Sequence, residues 1–545
     1  MMKRFLTLMI ALLLVLCAIP MAASAEERPT LTILMAQDTY VEDYETNAFT
    51  KFIEDSMNVN LDFVLLPASD ASDKLAVMIQ SGQELPDIIN YSLDVTTTYR
   101  YAQAGAIIPL NDYYETLGDN VKKVEELVPG IYEYIRCPDG NLYSIPIYTK
   151  ALHDEHKYKI WINKVWLDNL KLEIPTTTEE LYTVLKAFKE QDPNGNGIQD
   201  EYPLVGGTGW SQDPTIYLMN SFIHTDDGDR LIVEDGKLDV VYNREAWKKG
   251  LEYMRRLVDE KLLDPISFTQ DDSQLRAMAN NEGTCIVGAF AFSSITLMPV
   301  ATGEWVHDYV CLAPVEGPDG VRLAYYQPTI PTNRWFITAD CKDPELAFKV
   351  GDFMFDPTEE VFLRARYGVE GEHWSRPQEG DVTAWEGYEP MFRQDINIWT
   401  VSQNAHWRNN APLYADKACQ GGVYSEELSW WDKPISEGVM AYVACDPAPG
   451  TFVPTLNFTE EETDEISEIR ATLKTYVKES MIRFITRDMD LDTEWDKYVE
   501  ELNNIGVEKF VTVCQQAYDP IPNSKGAESE RFRPEFFSIR VPAAA

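Results

Sequence analysis

The sequence predicts an α/β protein built on a mostly parallel sheet covered by helices. Three observations carry this. Short apolar runs alternate with amphipathic stretches through the first hundred residues, which is the pattern of strands joined by crossover helices. The chain has 545 residues, too many for a single core and enough for two or three domains. Caps and breakers punctuate the alternation at the expected places.

Taken in order, Met1-Met2-Lys3-Arg4 opens the chain and an apolar run follows from Phe5 to Ile19. Ala23-Ser24-Ala25 comes next. A short basic start, an apolar segment and an A-x-A site read as a secretory signal peptide over 1–25, cleaved after Ala25. Lipid attachment at Cys17 is the alternative, although Leu16 stands where a lipobox has a small residue. Leu31–Met35 is a buried strand. Thr46–Asn58 is a helix with Phe49, Phe52, Ile53 and Met57 on one face. Val59–Leu66 is a second strand, Ser72–Ser81 a second helix, and Pro86–Asn90 a third strand. In such sheets ligands gather at the carboxyl ends of the strands, which marks Gln37 and Asp38 after the first strand and Asn90 and Tyr91 after the third.

Leu142–Tyr148 and Ile160–Asn163 are further strands, the first fed by the turn Asp139-Gly140-Asn141. Lys164–Leu170 is a short helix. Pro175-Thr176-Thr177-Thr178 with Glu179 and Glu180 starts another, with a threonine cap and carboxylates in the first turn; it runs to Lys189. Ala246–Glu260 and Gln274–Asn281 are helices. Thr284–Ala291, Val310–Pro314, Arg322–Thr329 and Trp335–Thr338 read as β structure. Asp343–Phe355 and Glu359–Tyr367 are helical, Gly371–Trp431 is rich in loops and tryptophan, and Thr463–Thr486 and Thr493–Val513 close the chain as helices.

Charge and cysteines narrow the classes. There are 89 acidic against 47 basic residues, a formal net charge of −42. Nucleic acid is excluded as a partner, because phosphate binding needs clustered Lys and Arg. Beyond Cys17, seven cysteines run from Cys137 to Cys514 without a CxxC pair, so neither a zinc site nor a disulfide framework is indicated; they read as small core residues. Gly206-Gly207-Thr208-Gly209 lacks the Lys-Ser/Thr end of a phosphate loop. His153 and His156 have no third ligand nearby. No carboxylate pair stands out as a glycosidase acid and nucleophile, so the chain reads as a non-enzyme.

One stretch has metal-binding chemistry. Asp192, Asn194, Asn196 and Asp200 alternate with Gly195 and Gly197, so a tight turn can bring several side-chain oxygens to one point, as Ca²⁺ requires. Ile198 offers its carbonyl. Pro203 stands at position 12, where an EF-hand has a bidentate Glu, and Glu201 is the nearest substitute. A solvated acidic turn is the alternative. The aromatics point to a ligand. Flat rings cover the C–H face of a sugar while Asp, Asn, Gln and Arg bind its hydroxyl rim. Trp210, Tyr326, Trp335, Trp374 and Trp399 are the candidates, each against the alternative of core packing.

Several motifs resemble the bacterial extracellular solute-binding proteins of ABC importers, family 1, and within it the oligosaccharide- and alginate-binding subgroup. Ser81–Ile88 (SGQELPDI) is similar to that family's SGxxPDI segment, and Asp87 within it joins the expected ligand-binding residues. Ala104–Leu110 resembles its G-x-(I/L)-x-P-L segment. Ile162-Asn163-Lys164 with Trp166-Leu167-Asp168 and Pro175-Thr176-Thr177 resembles its INKxWLDxLGL…PTT run. Tyr367–Trp374 resembles the subgroup's YGxEGxHY. The resemblance implies a two-lobed, type II periplasmic-binding-protein fold with the ligand in the interlobe cleft. It also implies a structural Ca²⁺ held by Asp192, Asn194, Asn196, the Ile198 carbonyl, Asp200 and Glu201. Chain crossings are then expected near 147–151, 284–288 and 327–335. That gives an N-lobe of 26–148 with 286–326 and a C-lobe of 149–285 with 334–545. The implied function is capture of an oligosaccharide at the cell surface by a monomeric receptor and delivery to a membrane permease. A receptor for a peptide or other small solute, or a secreted polysaccharide-degrading enzyme, is the alternative.

Overall fold

The computed structural model describes residues 28–519 apart from 69, 281–282, 296–304, 397–401, 409, 428, 449, 454–455 and 457. The expected leader with Cys17, and Trp399, lie outside the described residues. The first strands are β1 (Thr30–Ala36), β2 (Asn60–Leu66), β3 (Ile88–Leu93), β4 (Ser144–Thr149) and β5 (Ile160–Asn163). A hairpin, β6 (Leu231–Glu234) and β7 (Lys237–Val240), comes next, then β8 (Ala289–Ala291), β9 (Tyr309–Leu312) and β10 (Thr332–Ile337). Three two-residue strands follow: β11 (Trp374–Ser375), β12 (Arg393–Gln394) and β13 (Tyr414–Ala415).

Six strands form the first sheet, in the order β13-β4-β10-β3-β1-β2. β1 lies parallel to β2 from Thr30↔Asn60 to Ala36↔Leu66, and parallel to β3 from Ile33↔Ile88. β10 enters antiparallel between β3 and β4. Both faces are covered. Leu31, Ile33, Met35 and Ile88 enter one core with the helices 48–57 and 344–354, while Leu34, Ile89 and Phe336 enter a smaller one on the other face. A sheet buried on both sides explains why these strands read as continuous apolar runs.

The second sheet has the order β8-β5-β9, with β5 antiparallel to both neighbours. Residues 202–205 extend it, bridging Tyr202↔Val287 and Val205↔Phe290 in parallel. Helices Thr178–Glu190, Glu245–Asp259, Glu460–Ile485, Trp495–Ile505 and Val507–Tyr518 contribute to the large core around it. Thr177 and Glu180 form a reciprocal capping box at the start of the first of these, as the sequence indicated.

The pairing corrects the expected lobe boundaries. β8 and β9 pair with β5, so 286–326 sits with the second sheet, and Ala324 donates its N–H to Cys445 O at 2.8 Å within that body. Conversely β10, the helices Pro344–Met354 and Glu360–Tyr367, and β13 pack on the first sheet. Among the described residues the chain therefore crosses after Thr149, again before Thr332, and finally between Ala418 and Asp432, while Ala384, Trp385 and Tyr388 reach over to the large core. Short apolar strands look alike whichever sheet they join, and only pairing assigns them. Two further expectations change. Residues 322–329 form no strand but an extended crossing: Gln327 N–H donates to Glu155 O at 2.9 Å and Thr329 N–H to Glu155 Oε1 at 2.9 Å. Two crossings are thus tied to each other at the buried Glu155, whose carboxyl burial pushes above its usual range. The last expected helix is two helices, broken at Gly506 with φ of 113°, a conformation that only glycine adopts freely. The seven cysteines from Cys137 to Cys514 are all free thiols, and among the described residues no helix is long and apolar enough to cross a membrane.

Candidate functional site

The carboxyl ends of β1, β3 and β4 share one edge of the first sheet, and the crossing after Thr149 leaves from it. A polar cluster is built there. Asp38 follows β1. Asn90 lies within β3, buried, and donates through Nδ2 to Asn410 O at 2.8 Å. Arg334 is presented by β10 at a register shift between Asn333 and Trp335; such bulges re-aim a side chain beside functional sites. All three guanidinium nitrogens of Arg334 donate: Nε to Asn90 Oδ1 (3.0 Å), Nη1 to Ser92 Oγ (2.8 Å) and Nη2 to Asn410 Oδ1 (3.1 Å). Asn410 in turn donates to Asp38 Oδ2 at 3.1 Å. Burial brings the guanidinium down to about 10, because none of its hydrogen-bond partners is a carboxylate; it stays charged at neutral pH. Arg408 closes the cluster, 3.5 Å from Asp38 and 4.6 Å above the Tyr40 ring. Tyr44, beneath, has its phenol pushed up by burial and by the charge of Asp38.

Arg408 and Asn410 reach this edge on a strap formed by residues 403–408 and 410–411. Gln403 pairs with the Tyr40–Glu42 segment through two backbone bonds, Gln403 N–H to Tyr40 O (3.0 Å) and Glu42 N–H to Gln403 O (3.1 Å). Trp407 then plunges into the core. Its ring meets Phe49, Phe63 and Tyr44 edge-on at 5.2, 5.4 and 5.9 Å, and its Nε1 donates to Thr50 Oγ1 at 2.9 Å.

The second sheet presents the corresponding edge, where 202–205 and β8 both end. The turn Gly206–Gln212 carries Trp210 there, 57% exposed. Its indole meets Phe292 edge-on at 6.3 Å, and Arg276 lies 5.3 Å over the same Phe292 ring. Arg276 is paired with Asp272 at 2.7 Å, and Gln212 donates to the other oxygen of Asp272. Nearby, Asp227 accepts from Lys157 (2.9 Å) and Tyr158 (2.9 Å), and the single O–H of Tyr325 is shared between Asp227 Oδ1 (3.1 Å) and Gln327 Oε1 on the crossing (2.6 Å). These bonds hold the Asp227 carboxyl below its usual range against the opposing effect of burial. Tyr326, on the same crossing, lies between His156 (5.5 Å) and Phe452 (5.3 Å).

Of the sequence candidates, the structure brings Asp38 and Asn90 together in the polar cluster, leaves Trp210 open to solvent, and sets Tyr326 half-buried on a crossing. It removes three others. Trp335 and Trp374 have no exposed surface, and their indole N–H groups are satisfied internally, by Ala347 O at 3.0 Å and Gly368 O at 2.9 Å. They are core residues, as large aromatic side chains with a buried partner commonly are. Asp87 precedes β3 and so lies at the opposite, amino edge. Burial works against its charge, but bonds from Thr32 N–H (2.8 Å), Thr32 Oγ1 (2.7 Å) and Lys342 N–H (3.2 Å) keep the carboxyl below its usual range; it braces β1 to β3. Arg334, Arg408 and Asn410 were missed. Nothing local in the sequence announced the register shift at Arg334 or the strap.

The loop after helix Thr178–Glu190 is a tight turn rich in side-chain oxygens. Asp192 (φ 47°), Gly195 and Gly197 take the left-handed region. Asp192 Oδ1 and Oδ2 accept from Asn196 N–H (3.1 Å) and Gly197 N–H (3.0 Å). Asn196 and Asn194 turn amides towards Asp200, at 3.0 and 3.5 Å. Both oxygens of Glu201 are buried without a hydrogen-bond partner. Burial, with the charges of Asp200 and Asp192 adding to it, pushes this carboxyl up. An orphaned buried carboxylate in a loop rich in side-chain oxygens fits a hard cation with oxygen ligands. Among the described residues no group of three or more His, Cys, Asp or Glu is placed to hold a metal ion; a cation here would have to draw its ligands from Asp192, Asp200 and Glu201 together with the amides of Asn194 and Asn196 and the Ile198 carbonyl. Asn194 also donates to Cys285 O at 3.1 Å, tying the loop to the segment that leads into β8.

Two sheets joined by chain crossings, with polar and aromatic groups at the edges from which the crossings leave, define a two-lobed protein of the binding-protein class. The chain belongs to the bacterial extracellular solute-binding protein family, whose model matches residues 41–361. It is similar to the fructooligosaccharide ABC transporter substrate-binding protein FusA of Streptococcus pneumoniae serotype 4 (strain ATCC BAA-334 / TIGR4), 26% identical over 532 residues that cover 92% of each chain. It is also similar to the polygalacturonan/rhamnogalacturonan-binding protein YtcQ of Bacillus subtilis (strain 168), 22% identical over 86% of this chain and 87% of the relative. Among solved structures, that of an EF-hand mutant of the pneumococcal protein in complex with fructo-nystose superposes with a TM-score of 0.73 at 25% identity, covering 90% of this chain and 99% of that one.

Proposed function

We propose that this chain is the extracellular receptor of an ABC importer and that it captures an oligosaccharide between its lobes. The observation that carries this is the complementary make-up of the two edges. One offers Arg334, Asn410, Asn90 and Asp38 as a pre-ordered set of donors and acceptors; the other offers the exposed indole of Trp210. A sugar ring needs both kinds of surface, polar for its hydroxyl rim and flat apolar for its C–H face. The relatives, a fructooligosaccharide-binding and a polygalacturonan-binding protein, support the same class of ligand. Binding without turnover follows, with lobe closure about the Glu155 crossings as the event a permease would read. In this reading the leader ends at Ala25, the receptor acts as a monomer, and the 192–201 loop holds a structural Ca²⁺ through Asp192, Asn194, Asn196, Ile198, Asp200 and Glu201.

Calorimetric titration with a panel of oligosaccharides tests the proposal. At least one is expected to bind, and Trp210→Ala to weaken it about 10- to 100-fold, as befits a tryptophan anchor. The melting temperature should stay close to that of the parent, since so exposed a side chain holds little of the fold together. Binding unchanged by Trp210→Ala would remove the indole from the site, and silence across the panel would end the carbohydrate assignment.

A further inference from the structure

The edges that face the cleft carry several cations, and their partners say what kind of oligosaccharide they can hold. Arg408 lies against Asp38 at 3.5 Å. Arg276 is paired with Asp272 at 2.7 Å. Lys157 is paired with Asp227 at 2.9 Å. At the end of the first sheet's β4, Lys150 lies 3.8 Å from Asp416. Each of these charges is balanced by a carboxylate of the protein itself. Arg334 is the exception: its three nitrogens donate to the uncharged Asn90, Ser92 and Asn410, which leaves one N–H on each Nη, enough to serve one charged ring and no more.

A polyuronate brings one negative charge per ring. Each buried carboxylate must be paired and hydrogen-bonded to be tolerated in a closed cleft, so a bound run of such rings needs a cation for nearly every one. Pairing it with Arg408, Arg276 or Lys157 would leave Asp38, Asp272 or Asp227 facing the incoming charge. The whole chain repels it as well, with a formal net charge of −42, and a field of that sign lowers the encounter rate of anions. A neutral glycan meets none of these costs. Its hydroxyls can donate to the carboxylates of the balanced pairs and accept from Arg334 and Asn410.

We propose that the ligand is an uncharged oligosaccharide and that the balanced ion pairs of the cleft edges select against uronate polymers. This rests on the oligosaccharide reading above. The test titrates the full mature chain, with calcium present, against neutral fructo-, gluco-, xylo- and galacto-oligosaccharides and against oligogalacturonates and oligoalginates of matched length. A neutral oligomer is expected to bind at least about 100-fold more tightly than any uronate. Its affinity should change less than about twofold between low and high salt, since no net charge is brought together. A uronate oligomer that binds more tightly than every neutral one, or an affinity that falls more than about tenfold with salt, overturns the charge assignment and leaves the oligosaccharide reading standing. Silence towards both series overturns the oligosaccharide reading and this inference with it.

Discussion

Trp407→Ala is expected to lower stability by about 3–5 kcal/mol, the range for removing a large aromatic from a packed core, and to abolish measurable ligand binding. The two losses have one cause. Trp407 has no exposed surface and is enclosed by Phe49, Phe63 and Tyr44. It is also the anchor of the strap that delivers Arg408 and Asn410, and Asn410 is the acceptor for Arg334 and the donor to Asp38. Without the anchor, the backbone carbonyl of Asn410 no longer receives Asn90, and the donors and acceptors of this wall lose their relative positions. Affinity built on several pre-ordered hydrogen bonds then falls by more than any one of them contributes. Trp407→Phe separates packing from the indole hydrogen bond. It keeps an aromatic between the three rings and gives up the bond to Thr50 Oγ1, worth about 1 kcal/mol, so binding should survive within about tenfold. Thermal melts and calorimetry on both variants decide the matter. Parent-like affinity in a folded Trp407→Ala protein would show that the strap does not order the site.

That dependence also explains what could be read in the sequence and what could not. Alternating strands and helices over residues 30–100 were legible because each is a local pattern, and the strand-end rule then pointed to Asp38; Asn90, expected after the third strand, lies within β3, which runs on to Leu93. The turn at 192–201 was legible for the same reason, since Asp192, Gly195 and Gly197 signal it within a few residues. Arg334 was hidden by a bulge, which breaks the period-two alternation on which strand reading depends. Arg408 and Asn410 were hidden because their position is set by Trp407 packing against a helix some 350 residues earlier in the chain, Ala48–Met57. Trp335 and Trp374 were misread because tryptophan beside loops looks the same whether its ring faces a cleft or a core; only the buried carbonyls of Ala347 and Gly368 tell them apart. The lobe boundaries failed on the same ground, since β8 and β9 could have joined either sheet until their pairing with β5 was seen.

Removing divalent cation from the 192–201 loop is expected to lower the melting temperature by about 5–10 °C. For an extracellular calcium site with a dissociation constant of about 10⁻⁴ M, calcium at a hundred times that concentration stabilises by about 2.7 kcal/mol, and about 1 kcal/mol moves the melt of a domain this size by about 2–4 °C. Glu201→Gln gives the sharper test, because its effect should change with metal. With calcium present it removes a charged ligand and lowers the melt. With chelator present it removes a buried carboxylate that has no hydrogen-bond partner and that sits beside Asp192 and Asp200, so the variant should melt no lower than the chelated parent and should rise above it if the repulsion dominates. Asp192→Ala behaves differently: its carboxylate also receives Asn196 and Gly197 N–H groups, so it lowers the melt in both conditions and abolishes the calcium shift. The influence reaches the cleft through covalent geometry. Residues 202–205 follow the loop directly, pair with Ile286 and Ala289, and end at the turn that carries Trp210. Chelation should therefore also shift the emission of Trp210, read as the difference between parent and Trp210→Phe. A melt indifferent to chelator, in protein shown beforehand to contain calcium, would reduce the loop to an acidic turn.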